Sequence, residues 1–335
     1  MMRLPPFRYL APVSAADAVK LMADHGRDAM LVAGGTDLYP NMKRRQFEPG
    51  VLIGLRGIKE LAGVRGTART GITIGAGTTL TATSRHAEIV RHYPALATAA
   101  GLVSTPQLRN MGTLGGNVCV DTRCNYYNQS YQWRKAVNFC MKKDGETCLV
   151  APGSPRCWAV SSSDTAPVLW SLGATVRLLG PAGERVIPLS ALYRDDGIEY
   201  LAKRPEEVLT DIVLPPADGL RSAYLKLRRR GSFDFPVLGV AVALIMDGEI
   251  VREGRIVLGA VASLPREAVE AGRLLAGRRL TADLIEAVVS RAAGPSRPLD
   301  NTDLTHPYRK KMTRVFVRRA LLGLAGFPDG GGAPS

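Results

Sequence analysis

The sequence predicts an α+β fold in two domains, and three observations carry that prediction. Short β runs and helical stretches follow one another without the regular strand–helix alternation of a doubly wound sheet. The cluster Pro215-Pro216-Ala217-Asp218-Gly219 is the strongest break in the chain, and it separates residues 1–217 from residues 218–326. With 335 residues, 46% of them hydrophobic and 22% charged, the chain can build two cores. It has no apolar stretch near the about 20 residues that a membrane helix needs.

The elements follow in order. Ser14 caps a first helix, with Asp17 three residues on as its capping partner. Residues 29–33 form an apolar run suited to a buried strand, which Gly34-Gly35 breaks. Thr36 and Asp37 then cap a short helix. Residues 51–55 and 71–75 read as strands, and helices are expected from Ser84 through Val90 and around residues 96–100. Residues 168–179 and 184–188 resume the strand pattern. Beyond the break, residues 223–230 and 238–246 read as strands, and Asp247-Gly248 turns the chain into a strand over 249–252. A separate strand is expected over 255–262. Thr281 caps a helix that carries Leu284, Ile285, Val288 and Val289 on one side. A last helix spans 304–324, and residues 327–335 form a glycine-rich tail expected to be disordered.

The net charge of +14 points to an anionic partner, ligand or neighbouring subunit. The basic residues are spread along the chain without stacking aromatics or a nucleic-acid-binding motif, which argues against nucleic acid. The N-terminal stretch lacks the apolar core of a secretory signal, so a cytoplasmic location is expected. His25, His86, His92 and His306 show no metal spacing, and no nucleophile–base–acid set is present. The expected role is therefore binding a ligand rather than catalysis by side chains.

Three stretches suit a phosphate-bearing ligand. Leu31-Val32-Ala33-Gly34-Gly35-Thr36-Asp37-Leu38 is a strand, a glycine turn and a helix start, which exposes backbone N–H groups to one point. Arg109-Asn110-Met111-Gly112-Thr113-Leu114-Gly115-Gly116-Asn117 is a second glycine loop. Asp164-Thr165-Ala166-Pro167 adds a carboxylate for ribose hydroxyls. Neither the Walker nor the Rossmann pattern is present, so a dinucleotide held in another manner is expected.

In these three stretches the chain resembles the FAD-binding medium subunits of the molybdenum hydroxylases, over essentially its whole length. The resemblance implies a p-cresol-methylhydroxylase-type FAD domain followed by a small C-terminal α+β domain of the carbon monoxide dehydrogenase flavoprotein type. It places FAD on residues 31–38, Thr113, Gly116, Asn117 and Asp164, and puts Lys226 on the strand that faces the flavin.

All five cysteines fall between Cys119 and Cys157. Against the family pattern, residues from about 122 to 161 are an insertion of roughly 40 residues, long enough to carry a function of its own. It holds Cys124, Cys140, Cys148 and Cys157 at separations of 16, 8 and 9, while Cys119 belongs to the flavin loop. Four thiolates suit structural zinc or an iron–sulfur cluster, and this spacing, with neither paired zinc knuckles nor a ferredoxin run, selects neither. Unliganded thiols remain a third reading.

The stretches Asn117 to Arg134 and Cys148 to Cys157 are similar to the 4-hydroxybenzoyl-CoA reductase branch of the family. That resemblance implies a [4Fe-4S] cluster on the four cysteines, shielded by Tyr126, Tyr127, Trp133 and Trp158. It also implies electrons arriving from ferredoxin, a large molybdenum-cofactor subunit that dehydroxylates 4-hydroxybenzoyl-CoA, and a small [2Fe-2S] subunit, assembled as a dimer of heterotrimers. The alternative is the FAD subunit of another molybdenum hydroxylase, acting on an aldehyde or aromatic substrate, with a zinc-bound docking loop.

Overall fold

In the computed structural model, which describes residues 3–327, three sheets organise the chain. Residues 328–335, most of the expected tail, lie outside the described residues. The first sheet is parallel, with Val51–Gly54 between Arg8–Leu10 and Ala29–Val32. The helix Ala15–His25 covers it, and the Ser14 hydroxyl caps that helix by accepting from the Asp17 N–H at 3.0 Å, as its sequence position implies.

The second sheet is antiparallel, in the order Val64–Thr67, Gly71–Gly75, Val208–Leu214, Thr175–Gly180, Gly183–Pro188. The chain leaves it at Leu214 and enters the third sheet at Leu220. There Leu238–Asp247 pairs on one edge with Leu220–Leu227 and on the other with Ile250–Gly259, all antiparallel.

The central strand of the third sheet is buried on both faces, which explains its nearly unbroken apolar run. Val240, Val242 and Leu244 pack with Ile285, Val288, Phe316 and Val317 of the helices Ala282–Ala292 and His306–Ala325. Ala241 and Ala243 point the other way, into a core with Leu96, Ala99, Ala100 and Val168. Small side chains on that face let the helices Pro94–Leu102 and Thr165–Ser171 sit close to the sheet, so the regions of the second glycine loop and of Asp164 share one core with the third sheet.

Three local expectations are corrected. Residues 168–171 are helix, within Thr165–Ser171, rather than strand. An apolar run of this length suits a buried helix as well as a strand. The first turn accepts Pro167, and Gly173 at φ +74° stops the helix in the left-handed position. The two strands expected over 249–252 and 255–262 are one strand, Ile250–Gly259. Gly254 within it marks close approach of another element rather than a break, since its carbonyl oxygen lies where a Cβ on Gly272 would be. The helix expected from Ser84 starts earlier, as Leu80–Arg85 followed by Ala87–His92, because the Thr79 hydroxyl accepts from the Ala82 N–H at 3.1 Å.

The segment from Arg123 to Val160 closes on itself. The Arg123 N–H donates to the Val160 carbonyl at 2.8 Å and the Val160 N–H returns to Arg123 at 2.7 Å. Inside lie the helix Tyr131–Ala136 and a small core of its own around Cys124, Tyr127, Cys140, Cys157 and Ala159.

Candidate functional site

The three loops expected to hold a flavin lie far apart in sequence and touch in the fold. Residues 31–38 leave the parallel sheet after Val32, turn at Gly35 with φ +69°, and enter the helix Leu38–Lys43. A Cβ on Gly34 would run into the Met111 carbonyl and stand 2.9 Å from the Gly112 Cα, so a glycine there lets the second loop seat against the first. The N–H groups of Gly34, Gly35 and Thr36 have no hydrogen-bond partner among the described residues. Half-buried backbone donors are seldom left so, and three in succession at a tight turn make a receptor for an anion. These orphaned amides fit the diphosphate of FAD.

In the second loop, the Thr113 hydroxyl accepts from the Gly116 N–H at 3.0 Å. Asn117 Oδ1 accepts from Ser163 Oγ at 2.9 Å, from the Thr165 N–H at 3.2 Å and from Thr165 Oγ1 at 2.7 Å, tying the second loop to the third. Asp164 is buried. Its Oδ1 accepts from the Tyr224 hydroxyl at 2.8 Å and its Oδ2 from Lys226 Nζ at 2.8 Å. Lys226 also donates to the Leu102 carbonyl at 3.1 Å. Burial pushes the Asp164 carboxyl up, and the Lys226 ammonium pulls it back down. Burial and the Asp164 charge together push the Tyr224 hydroxyl well above its ordinary range. The sequence treats Asp164 and Lys226 as two separate flavin contacts; in the fold each is also the other's counter-ion.

Cys124, Cys140, Cys148 and Cys157 are all buried, all free, and all line one pocket together with Tyr126, Tyr127, Met141, Lys142, Leu149, Val150 and Ala159. Burial pushes the Cys124 thiol up to about 12, against the pull of the Tyr126 and Tyr127 amides, and the Cys157 thiol up to about 11. The Ala159 N–H donates to Cys157 Sγ at 3.4 Å. Among the described residues, no three His, Cys, Asp or Glu side chains converge closely enough to hold a single metal ion. A tetrahedral zinc site, with Zn–S near 2.3 Å, would bring its thiolates within about 3.8 Å of one another. Four buried thiols around a shared pocket supply the donor set of a thiolate-bound group. Cys119 stands outside this pocket, partly buried against the main core.

Two of the four aromatics expected to shield that pocket do not line it. Trp133 is 39% exposed and reaches only Tyr126, at a ring separation of 6.3 Å. Trp158 donates from Nε1 to Ser154 Oγ at 2.7 Å and lies under the Arg156 guanidinium. Met141, Leu149 and Val150 complete the apolar lining in their place.

Several residues of this region were not singled out by the sequence. Arg123, 5% exposed, pairs its guanidinium with Asp37 of the first loop, donates from Nη1 to Asn41 Oδ1 at 3.2 Å and lies 4.7 Å from the Phe235 ring centroid. Burial lowers it to about 10. Gln46 Nε2 donates to the Tyr127 carbonyl at 2.6 Å, and Arg134 Nη2 reaches the Arg44 and Arg45 carbonyls at 3.0 and 3.2 Å. The cysteine-bearing segment is thus fastened along the helix Leu38–Lys43 and the residues that follow it. Arg123 stands beside a cysteine, but nothing in the sequence marks its charge as buried.

Residues 5–217 match the FAD binding domain in molybdopterin dehydrogenase, and residues 222–324 match the carbon monoxide dehydrogenase flavoprotein C-terminal domain. The carbon monoxide dehydrogenase medium chain of Afipia carboxidovorans is 33% identical over 316 residues, covering 94% of this chain and 95% of that one. The aldehyde oxidoreductase FAD-binding subunit PaoB of Escherichia coli (strain K12) is 33% identical over 269 residues, 77% of this chain and 82% of that one. A chain of the reconstituted carbon monoxide dehydrogenase from Oligotropha carboxidovorans superposes with a TM-score of 0.79 at 31% identity, covering 97% of this chain and 99% of that one. No described helix is long and apolar enough to cross a membrane. Fold, loop geometry and sequence agree: the chain belongs to the FAD-binding subunits of the molybdenum hydroxylase family, of the carbon monoxide dehydrogenase medium-chain type.

Proposed function

We propose that the chain is an electron-transfer subunit that holds FAD on residues 31–38, Thr113, Gly116, Asn117, Asp164 and Lys226, and a [4Fe-4S] cluster on Cys124, Cys140, Cys148 and Cys157. The observation that carries this reading is the ion pair of Arg123 with Asp37, which fastens the chain next to a pocket cysteine onto the first flavin loop. When bound, FAD exchanges one or two electrons and the cluster exchanges them singly, so the pair can join a one-electron carrier to a two-electron centre. The chain's part is to receive the diphosphate on the free amides of the first loop and to keep the third loop in place through Asn117. Its four thiols release protons as they become ligands. The division near Pro215 into a 1–217 domain and a 218–326 domain belongs to the same reading, supported by the change of sheet between Leu214 and Leu220.

The finer reading is that low-potential electrons enter from ferredoxin and leave toward a large molybdenum subunit that dehydroxylates 4-hydroxybenzoyl-CoA to benzoyl-CoA. A small [2Fe-2S] subunit completes a dimer of heterotrimers, and the working location is the cytoplasm. The likeness of the two cysteine-bearing stretches to that branch supports it, as does a net charge of +14 suited to an acidic carrier. A second reading, aldehyde oxidation with the same two cofactors, is favoured by the 33% identity to the aldehyde oxidoreductase subunit.

Anaerobically purified complex is expected to contain FAD and about four irons, with matching sulfide, on this chain. Zinc in place of iron would sink the cluster. Cys140→Ser is expected to lose that iron while keeping FAD. Assay of the complex with 4-hydroxybenzoyl-CoA and a reduced low-potential donor, and separately with aldehydes, decides between the two substrates.

A further inference from the structure

We propose that Lys142 sets the reduction potential of the group held by the four cysteines: its side chain lines their pocket, its positive charge favours the reduced form, and Asp121, which pairs with it, limits the effect. This rests on the cluster reading above.

The Lys142 side chain is 5% exposed and lines the same pocket as the four cysteines, whereas Asp121 does not. Its Nζ donates to Asp121 Oδ1 at 2.8 Å, to Thr122 Oγ1 at 2.7 Å and to the Gly197 carbonyl. Three oxygen acceptors match the three N–H bonds of an ammonium, which holds the group in one place. The Nζ also lies 4.8 Å from the centroid of the Tyr127 ring, another wall of the pocket. Among the described residues, Asp121 Oδ2 is buried without a hydrogen-bond partner and Lys142 is the cation that pairs with this carboxylate. The pair is therefore buried, with its cationic residue on the pocket side.

The sign follows from charge. A cluster with four thiolate ligands becomes more negative by one unit when it accepts one electron from a one-electron donor. A fixed positive charge beside it stabilises the reduced form more than the oxidised form, and in a site closed to water that difference is only weakly screened. Net charge around the ligands is among the levers that set such potentials.

The test is a reductive titration of the intact complex, followed by electron paramagnetic resonance, with iron and sulfide counted in each variant. Lys142→Met is expected to lower the reduced-to-oxidised ratio at a given potential by at least tenfold, about 59 mV for one electron. Asp121→Asn is expected to move it the opposite way, and Lys142→Arg to stay near the parent. Opposed shifts are what a merely structural role would not produce. An unchanged potential in Lys142→Met with full iron, or the same direction in both charge-removing variants, overturns the assignment. Should Lys142→Met fail to retain iron, Asp121→Asn alone decides. A parent complex without iron and sulfide on this chain overturns the cluster reading itself, an outcome distinct from an unmoved potential.

Discussion

Asp164 and Lys226 form an ion pair at 2.8 Å with side chains only 3% and 1% exposed, and it joins the third flavin loop to the strand Leu220–Leu227. Two charges removed from water in this way are stable only together. Each also has a neutral partner, the Tyr224 hydroxyl for Asp164 and the Leu102 carbonyl for Lys226. The pair therefore locks the relative position of the glycine-loop region and the third sheet.

Lys226→Met is expected to cost about 3–5 kcal/mol, because it leaves a buried carboxylate unpaired. The cost depends on pH. Burial already raises the Asp164 carboxyl above its ordinary 3.8, and removing the lysine raises it further. A carboxyl raised in the folded state contributes stability that is present below the unfolded value and lost as pH climbs through the folded one. The variant should thus be more stable near pH 4 than at pH 7, with a steeper pH slope than the parent. Urea denaturation across that range measures it, and equal slopes would contradict the pairing.

Gly34→Ala is expected to weaken FAD binding by at least tenfold, about 1.4 kcal/mol. Its Cβ would push the Met111 carbonyl away and part the first two loops. The ratio of flavin to protein absorbance after gel filtration reports it. Full flavin retention would mean that the loops tolerate separation.

Arg123→Ala removes a charge-assisted hydrogen bond to Asp37 and a bond to Asn41, at about 1.5–3 kcal/mol for a contact of this kind. The cysteine-bearing segment should then be cut by protease faster than the rest of the chain. Arg123→Lys keeps the charge without the two-pronged geometry, so an intermediate rate is expected.

Asn117→Ala strips one acceptor from three donors on Ser163 and Thr165, costing about 1–3 kcal/mol. Asn117→Asp retains that acceptor and should recover much of the melting temperature. Equal losses in both variants would assign the effect to the amide nitrogen instead.

Much of the local structure is written in short stretches. Ser14 and Thr281 each cap a helix, as their positions before apolar runs imply, whereas Asp37 stands before Leu38–Lys43 without a side-chain cap bond, its carboxylate taken up by Arg123 and Asn41. Gly34-Gly35 ends a strand at a turn whose amides have no partner among the described residues, and the four cysteines Cys124, Cys140, Cys148 and Cys157 do share one pocket. The failures are equally instructive. Val168, Leu169 and Trp170 form an apolar run compatible with either helix or strand, and only burial between two layers makes it helix. Trp133 and Trp158 look like pocket walls by proximity to cysteines, yet side-chain direction places them elsewhere.

The sequence by itself determined the α+β character, the loops able to receive a dinucleotide and the crowding of the thiols. These are signalled by glycine, capping residues, periodicity and cysteine spacing, all read within a few residues of each other. Only the tertiary structure decided that Lys226 answers Asp164, that Arg123 reaches Asp37, and that Lys142 rather than one of the other cations stands among the sulfurs. In a chain with 44 lysines and arginines, a cation bound for the surface and one bound for the interior have the same letter. Which is which depends on what packing brings within 3 Å and shuts off from water, a long-range outcome of topology that local spacing does not encode.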